Sequence, residues 1–504
     1  MNTNSVLVRG CITVGTGIKN ALLKSNLARM LNHDGVISTK YRESRVMLII
    51  SRLINLVPYL LNTFCARHSK TVEHSLVIRF LRAYGEAEYA ALSFAAAAVL
   101  LFPQSKWNNA LPFAAFMAML LLHWLAKGVK PDNYSLFTIH YSLKNPWVVL
   151  YGIVIFLSVA FSVAPTTSFK TFPRYASCLI AFYLFADIEW DKRKLQRIID
   201  FIIICVAIVS LYGIYQRFNL RVNRSTVDLV NNPYIGARVY SVYENSNSFG
   251  FLLCLLLPFP LVSAVYGPNL KFFGSAIISR RFISGCTFIA GSAALVLTFS
   301  RGAWLAFAIS MIIFIALTKP KLLPVFILLG VVALPLIPDS IFNRLMTIFT
   351  GDTSLSTRAD IWTAGVNLFK KSPVLGAGLG LETIQHYIIA NDMYPSNWNI
   401  YIHAHNFLLQ VVNEFGIFGV LTFFGAFFTL LKAALRNRAS KLCIACATGL
   451  IGILVCGIAD YPISYPRIML AYWVVLGITF AAVQVQLSNI KYQISDDAPG
   501  AGRG

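Results

Sequence analysis

Long apolar runs separated by short polar links make up most of this chain. A membrane-spanning helix needs about 20 predominantly apolar residues, and roughly twelve segments approach that length. They lie at about 88–103, 109–126, 147–164, 174–189, 199–216, 249–266, 283–300, 302–318, 322–338, 407–432, 441–459 and 466–486. The pattern therefore predicts an all-α polytopic membrane protein with about twelve transmembrane helices.

The composition agrees with this prediction. Of the 504 residues, 57% are hydrophobic and only 13% are charged, and the mean hydropathy is +0.65, which excludes an ordinary soluble protein. The formal net charge of +22 would suit nucleic acid if it covered one soluble face. Most Lys and Arg instead fall in short links between apolar runs, so we expect membrane lipids and no nucleic acid as partners.

The basic links alternate along the chain as the positive-inside rule requires. If the amino terminus is inside, every even-to-odd link should be cytoplasmic, and each of these links carries Lys or Arg. This predicts a basic cytoplasmic extension at 1–86, a multi-span domain at 87–487 and a cytoplasmic tail at 488–504. Two long links, 217–248 and 339–406, then become periplasmic loops, where a scaffold commonly carries function.

Residues 45–64 are apolar but interrupted by Arg52, Asn55 and Pro58. A span here would force the basic residues before it across the membrane. We therefore interpret this segment as an interfacial amphipathic helix.

Polar and charged side chains gather at span ends on the predicted outward face. They come from four stretches that are far apart in sequence: 236–250, 298–307, 401–416 and 458–467. The candidate residues in these stretches are Arg238, Arg301, His403, His405, Asn406, Asp460 and Arg467. An arginine in a tight outward turn is less expected than one in a cytoplasmic link, so Arg301 indicates a site or a partner.

The two histidines, His403 and His405, are spaced i, i+2. If the stretch is helical, their side chains point about 200° apart and cannot easily share one metal ion. No Cys or HExxH spacing nearby completes a metal site, and Cys443 and Cys446 lie inside a predicted span. We therefore predict no metal and no cofactor, with one histidine acting as a base and the other packing or capping.

Arginine and histidine together suit chemistry on a phosphate-linked donor. Arginine supplies a permanent charge and forked donors for phosphate oxygens, and histidine can accept a proton near neutral pH. A positioned base of this kind contributes about 10²- to 10⁴-fold in rate. Arginines that hold a departing diphosphate can replace a metal ion and a general acid.

At these stretches the chain resembles the O-antigen ligase and polymerase family of bacterial membrane glycosyltransferases. Arg238 precedes "NSN" at 245–247, where the family has Asn-Pro-Asn, so Ser246 departs from the usual proline. The family's "SRG" turn is matched at 300–302, and its "AHN" element is matched at 404–406. Asp460 within "ADYP" and Arg358 within "TRADIW" resemble further family positions. The resemblance covers about 195–475.

The resemblance implies a GT-C-like fold and an inverting, metal-independent transfer. A glycan would move from undecaprenyl diphosphate to an acceptor hydroxyl at the periplasmic face of the bacterial inner membrane. Arg238 and Arg301 would hold the diphosphate and His405 would activate the acceptor. Substrate-binding roles are predicted for Arg358, Asn406, Asp460 and Arg467. The acceptor would be the lipid A core in a ligase, or a second lipid-linked glycan in an O-antigen or exopolysaccharide polymerase.

The competing hypothesis is a membrane transporter of an anion or a glycan. Transporters tend to place ionisable residues near the bilayer midplane, often on broken helices within internal repeats. Here the polar residues crowd one predicted face and no repeat is visible, which favours an enzyme. A purely structural envelope protein would leave Arg301 and His405 unexplained.

Overall fold

The structure is a computed structural model of a helical protein. It describes residues 44–130, 145–219, 238–267, 279–332, 337–346, 353–391 and 403–496, together with 135, 136, 143, 335 and 393. Residues 1–43 of the predicted extension, parts of both predicted periplasmic loops and the end of the tail lie outside these residues. The domain bounds therefore stay predictions.

Eighteen α-helices occur within the described residues, numbered here in chain order. They are α1 Arg45–Arg67, α2 Ser69–Glu73, α3 Leu76–Leu101, α4 Ala110–Gly128, α5 Pro146–Ala160, α6 Pro165–Asp187, α7 Lys192–Phe218, α8 Ser246–Leu256, α9 Pro258–Tyr266, α10 Arg280–Leu297, α11 Arg301–Thr318, α12 Leu323–Val332, α13 Asp339–Met346, α14 Thr353–Lys371, α15 Leu381–Ala390, α16 Phe407–Arg436, α17 Lys441–Ala459 and α18 Pro466–Asp496.

The predicted fold class is confirmed, because the described chain is an all-α polytopic membrane protein. Within the described residues, nine helical segments are long and apolar enough to cross a membrane. They are α1, α4, α7, α8 with α9, α10, α11, α16, α17 and α18. Leaving α1 aside, these segments together with α3, α5 and α6 correspond to all the predicted spans except 322–338.

Contacts between helix ends support the predicted alternation of the spans. One face of the bundle, here called the site face, is formed by the helix ends and loops at 99–104, 160–165, 238–247, 297–301, 377–380, 403–407 and 460–467. For example, the Arg467 guanidinium donates to the carbonyls of Val99 and Leu100, and Val163 N–H donates to the Ala377 carbonyl. The opposite ends make their own pairs, such as Arg280 with Asp200 at 2.5 Å.

The structure describes only part of the predicted span 322–338. Its described helix, α12, has ten residues and rises about 15 Å, half of a hydrocarbon core of about 30 Å. Arg344 on α13 nevertheless acts electrostatically on Arg238 at the site face. The chain therefore returns to the site face between α11 and α13.

Helix α16 is broken at Gly416. The backbone there has φ 63° and ψ −161°, a conformation that favours glycine. A Cβ at this position would lie 2.2 Å from the Val374 carbonyl oxygen. Residues 407–415 therefore form a separate short helix at the site face, and a second helix begins after Gly416.

Both halves of α1 contact the same end of the bundle. Asn62 Nδ2 donates to the carbonyls of Gly128 and Lys130 at the end of α4, and Met47 packs with Leu143 and with Val149 near the start of α5. Since α4 ends and α5 begins at one face, a helix touching both along its length lies across that face. The interfacial interpretation of residues 45–64 stays a prediction, and these contacts support it over a span.

Helix α18 lies at the centre of the bundle and fixes the loop that precedes it. Tyr472 and Trp473 are fully buried. Tyr472 stacks on Phe423 of α16 and Trp473 stacks on Tyr151 of α5. This aromatic core makes the start of α18, and with it loop 460–465, a rigid support at the site face.

Candidate active site

His405 and Asp460 form a direct pair at the site face. His405 Nδ1 lies 3.1 Å from Asp460 Oδ1, and the two side chains are 26% and 11% exposed. An ionised carboxylate only accepts hydrogen bonds, so Nδ1 carries a proton, and in the neutral imidazole Nε2 keeps its lone pair. The free Nε2 can therefore accept a proton from a substrate, in the manner of an Asp-oriented histidine base.

Asp460 is held in place by other donors. Tyr461 N–H donates to Asp460 Oδ1 at 2.8 Å and Asn247 Nδ2 approaches Oδ2 at 3.4 Å. Burial alone would raise the pKa of this carboxyl, but the hydrogen bond from His405 and the nearby imidazoles of both histidines lower it to about 2. The carboxylate therefore stays ionised and orients His405 throughout the neutral range.

The backbone of His405 adopts a left-handed conformation, with φ 46°. Such a conformation costs about 1 kcal/mol or more in a non-glycine residue and persists only where neighbours over-determine it. Ala404 N–H donates to Gln410 Oε1 at 2.9 Å, and His405 N–H donates to His403 Nδ1 at 3.2 Å. Asn406 Nδ2 donates to the Ile458 carbonyl on the other side. Hydrogen bonds on both sides of His405 therefore hold its backbone in this strained conformation.

The helical premise for the two histidines is wrong. Residues 403–406 precede helix α16 and are not helical, and the two imidazole centroids lie only 3.9 Å apart. Burial, with the charges of His405 and Arg358, lowers the pKa of His403 to about 4. His403 is thus a neutral acceptor for the His405 backbone, which matches the predicted packing role.

The geometry also removes the argument that these histidines cannot share a metal ion. Ligand atoms of His403, His405 and Asp460 lie within 4.8 Å of one another, as a metal site requires. Two observations still disfavour a cation. Nδ1 of His403 is occupied by a backbone N–H, and Arg238 and Arg358 add positive charge close by. The prediction of no metal therefore stays a prediction.

Arginines lie near this pair. Arg238 Nε donates to the Thr298 carbonyl at 2.8 Å, next to the turn that bears Arg301, and its Nη2 donates to Asn247 Oδ1 at 2.6 Å. Burial and the charges of Arg344 and Arg301 lower the pKa of Arg238 to about 10. The guanidinium still stays charged at neutral pH. Concentrated positive charge of this kind suits a polyanionic ligand.

The structure brings Arg238, Arg301, His405 and Asp460 together, but it gives three residues predicted to bind substrate contacts within the protein. Asp460 orients His405. Asn406 caps α16 through Leu409 N–H and ties to the Ile458 carbonyl, so its side chain holds the backbone.

Arg467 is the clearest correction. It is 1% exposed and donates to the carbonyls of Val99, Leu100 and Val242. Its guanidinium also stacks 4.3 Å above the Tyr243 ring. It therefore holds helix ends together, and these contacts do not support its predicted substrate-binding role. Arg358, by contrast, is partly exposed and close enough to His403 to affect its pKa, so its predicted substrate-binding role stays a prediction.

Sequence reasoning missed Arg344, Asn247 and Gln410 as members of the site. Arg344 lies on α13 with no spacing motif, and only its charge and its predicted periplasmic loop could have suggested it. Asn247 and Gln410 stand inside the stretches that were singled out. Their partners, Asp460 and Ala404, become visible only in the folded chain.

Replacement of His403 by Asn should leave transfer within about threefold of the wild type, because Asn Oδ1 can accept the His405 N–H. His403→Ala removes that acceptor and should cost about tenfold. Since the pKa of His403 is about 4, its imidazole is neutral above that pH. The pH–rate profile of His403→Asn between about pH 5 and pH 8 should therefore match the wild type. A displaced profile would show that His403 is the titrating base.

Comparison with known proteins agrees with the predicted resemblance. Residues 286–424 match the family model described as O-antigen ligase, a segment that contains Arg301, Arg358 and His405. The chain is 25% identical over 303 residues to the exopolysaccharide production protein ExoQ of Rhizobium meliloti, covering 58% of this chain and 66% of that protein. It is 27% identical over 192 residues to a Rickettsia felis protein provisionally named a polysaccharide ligase, covering 36% of this chain and 45% of that protein. Each match spans less than two thirds of the relative.

Proposed function

We propose that this chain, whose residues 286–424 match the O-antigen ligase family model, is a membrane glycosyltransferase. It transfers a glycan from undecaprenyl diphosphate to an acceptor hydroxyl at the periplasmic face of the bacterial inner membrane. The observation that carries this proposal is the His405–Asp460 pair beside a group of arginines.

The geometry suggests a single displacement. The acceptor oxygen attacks the anomeric carbon of the donor sugar while His405 Nε2 takes the hydroxyl proton. The bond between that carbon and the diphosphate oxygen breaks, and the electron pair leaves with the diphosphate. One displacement from the opposite face inverts the configuration of the anomeric carbon.

Arginines at the site would stabilise the departing diphosphate. Arg301 opens α11, whose N-terminus adds partial positive charge. Arg238 and Arg344 lie close enough to raise the local potential. Positive groups fixed in advance where charge develops are a large source of catalysis. A diphosphate that departs as a stabilised anion needs no general acid.

The acceptor divides the proposal into two forms. One relative is named for exopolysaccharide production and the other provisionally for polysaccharide ligation, and neither name fixes the acceptor here. A strain lacking this protein distinguishes the forms. Free lipid-linked polymer without a lipid A anchor indicates a ligase, whereas single lipid-linked repeats indicate a polymerase. The transporter hypothesis instead predicts donor flux without a new glycosidic bond in proteoliposomes.

Transfer should be insensitive to metal chelation. We expect purified protein treated with EDTA to keep its full rate with an undecaprenyl-diphosphate glycan, because the arginines supply the charge that a cation would provide. The measurement is the transfer rate before and after treatment, followed by addition of Mg²⁺, Mn²⁺ or Zn²⁺ singly. A loss that one of these ions restores would assign His403, His405 and Asp460 to a metal.

A further inference from the structure

Glu414 is a buried carboxylate that the proposed chemistry does not use. It lies on the short helix 407–415 and is 1% exposed. Its Oε2 accepts from the Tyr175 hydroxyl and from Gly380 N–H at 3.3 Å, and its Oε1 accepts from Gln410 Nε2 at 2.8 Å. Burial of a carboxylate costs free energy unless hydrogen-bond donors contact it, and three such donors contact Glu414.

Gln410 carries this network to the active site. While its Nε2 donates to Glu414, its Oε1 accepts Ala404 N–H at 2.9 Å. Ala404 immediately precedes His405, whose left-handed backbone needs support on both sides. Gln410 is fully buried, so no water can take over its contact with Ala404.

The same turn of α6 also supports the segment that bears Asp460. Arg174, next to Tyr175, donates through Nη2 to the carbonyls of Ile463 at 2.9 Å and Ser464 at 2.7 Å. Tyr175 holds Glu414 and, through Gln410, the backbone before His405. Two consecutive residues of one helix thus set the positions of both halves of the His405–Asp460 pair.

We propose that Glu414 and Gln410 are positioning residues for His405, with Tyr175 and Arg174 as their anchor on α6. This inference rests on the proposed function, since it assumes that the placement of His405 limits the rate. The carboxylate acts by directing the Gln410 amide, so that its oxygen faces Ala404 N–H. Its charge takes no part in proton transfer.

An exchange of the two side chains tests this directly. In Glu414→Gln, the side chain at 414 becomes an amide, whose nitrogen faces either Gln410 Nε2 or the donors of Tyr175 and Gly380. Two donors then oppose each other, and the Gln410 amide loses its fixed orientation. In the double variant Glu414→Gln with Gln410→Glu, residue 414 donates to residue 410 and accepts from Tyr175 and Gly380. Residue 410 still accepts Ala404 N–H, so every hydrogen bond is restored with the carboxylate moved one turn.

We expect Glu414→Gln to lower kcat about 10- to 100-fold with an unchanged KM for the donor, as a small misplacement of a catalytic group does. The double variant should recover to within about threefold of the wild type. Glu382→Gln, an exposed carboxylate on α15, is the control and should not change kcat. An unaltered single variant, or a double variant as impaired as the single, would overturn the proposal.

A second readout does not depend on transfer. Diethyl pyrocarbonate modifies accessible imidazoles, and the modification rate at His405 can be followed by mass spectrometry of its peptide. We expect Glu414→Gln to change this rate and the double variant to restore it. If the wild type forms no glycosidic bond, the proposed function fails, while restoration of the modification rate still supports positioning. Equal modification rates in all three proteins would refute positioning.

Discussion

His405→Asn should lower the rate of glycan transfer by about 10²- to 10⁴-fold, the usual contribution of a positioned base. The substitution is matched to the site. Asn Nδ2 can donate to Asp460 in place of His405 Nδ1, and Asn tolerates the left-handed backbone at this position. What it lacks is the Nε2 lone pair. The loss should therefore appear in kcat, with membrane insertion and thermal stability close to those of the wild type.

The measurement is the transfer rate of purified His405→Asn protein. The donor is an undecaprenyl-diphosphate glycan, and the acceptor is the one that the deletion strain identifies. His386→Asn is the control, because His386 is an exposed histidine on α15 of the same loop region and should keep full activity. A His405→Asn protein that folds and transfers at the wild-type rate would eliminate the catalytic assignment, and the base would have to be sought elsewhere.

Arg301→Ala should lower kcat by about 10²- to 10³-fold, the cost of removing one preorganised group that stabilises developing charge. Arg301 starts α11 directly after the buried N-cap residue Ser300, so its guanidinium stands at a helix N-terminus already favourable to anions. Its charge also acts on Arg238. Arg301→Lys keeps the charge but loses the fork that suits phosphate, so we expect an intermediate loss.

Arg281→Ala is the matched control for charge removal. Arg281 lies at the start of α10, at the end of the bundle away from the site face, and donates to the Gly267 carbonyl from an exposed position. Its loss should leave transfer unchanged. If Arg301→Ala is no slower than Arg281→Ala, the diphosphate must be held by other residues, with Arg238 and Arg344 the next to test. Inhibition by inorganic diphosphate should also weaken in Arg301→Ala and stay unchanged in Arg281→Ala.

Much of the candidate site could be predicted because its residues break a strong local pattern. An arginine in the 300–302 turn and histidines before an apolar run stand out against the hydrophobic background. The family resemblance then singled out His405 over His403. The error about the two histidines came from treating 401–416 as one helix, whereas α16 begins at Phe407 and bends at Gly416. At that bend the backbone packs closely against Val374, a contact that the local sequence does not reveal.

Arg467 and Asn406 illustrate a second limit. In the sequence each is a polar residue at a span end, as a substrate-binding residue would be. In the fold each binds backbone carbonyls from segments far away in the chain. Residue type and position predicted where these side chains lie, but their role depends on which backbone carbonyls the packing brings within reach of them.

The sequence by itself determined the helical class, the membrane setting and the face on which polar residues gather. Apolar length and the placement of basic links are local properties, and the bilayer acts on each span separately. Only the tertiary structure decided the partners. The Asp460–His405 pair joins residues 55 apart, and the Glu414–Tyr175 contact joins residues 239 apart. Such pairs form only when particular spans pack side by side, and that packing depends on the shapes of side chains from the whole bundle.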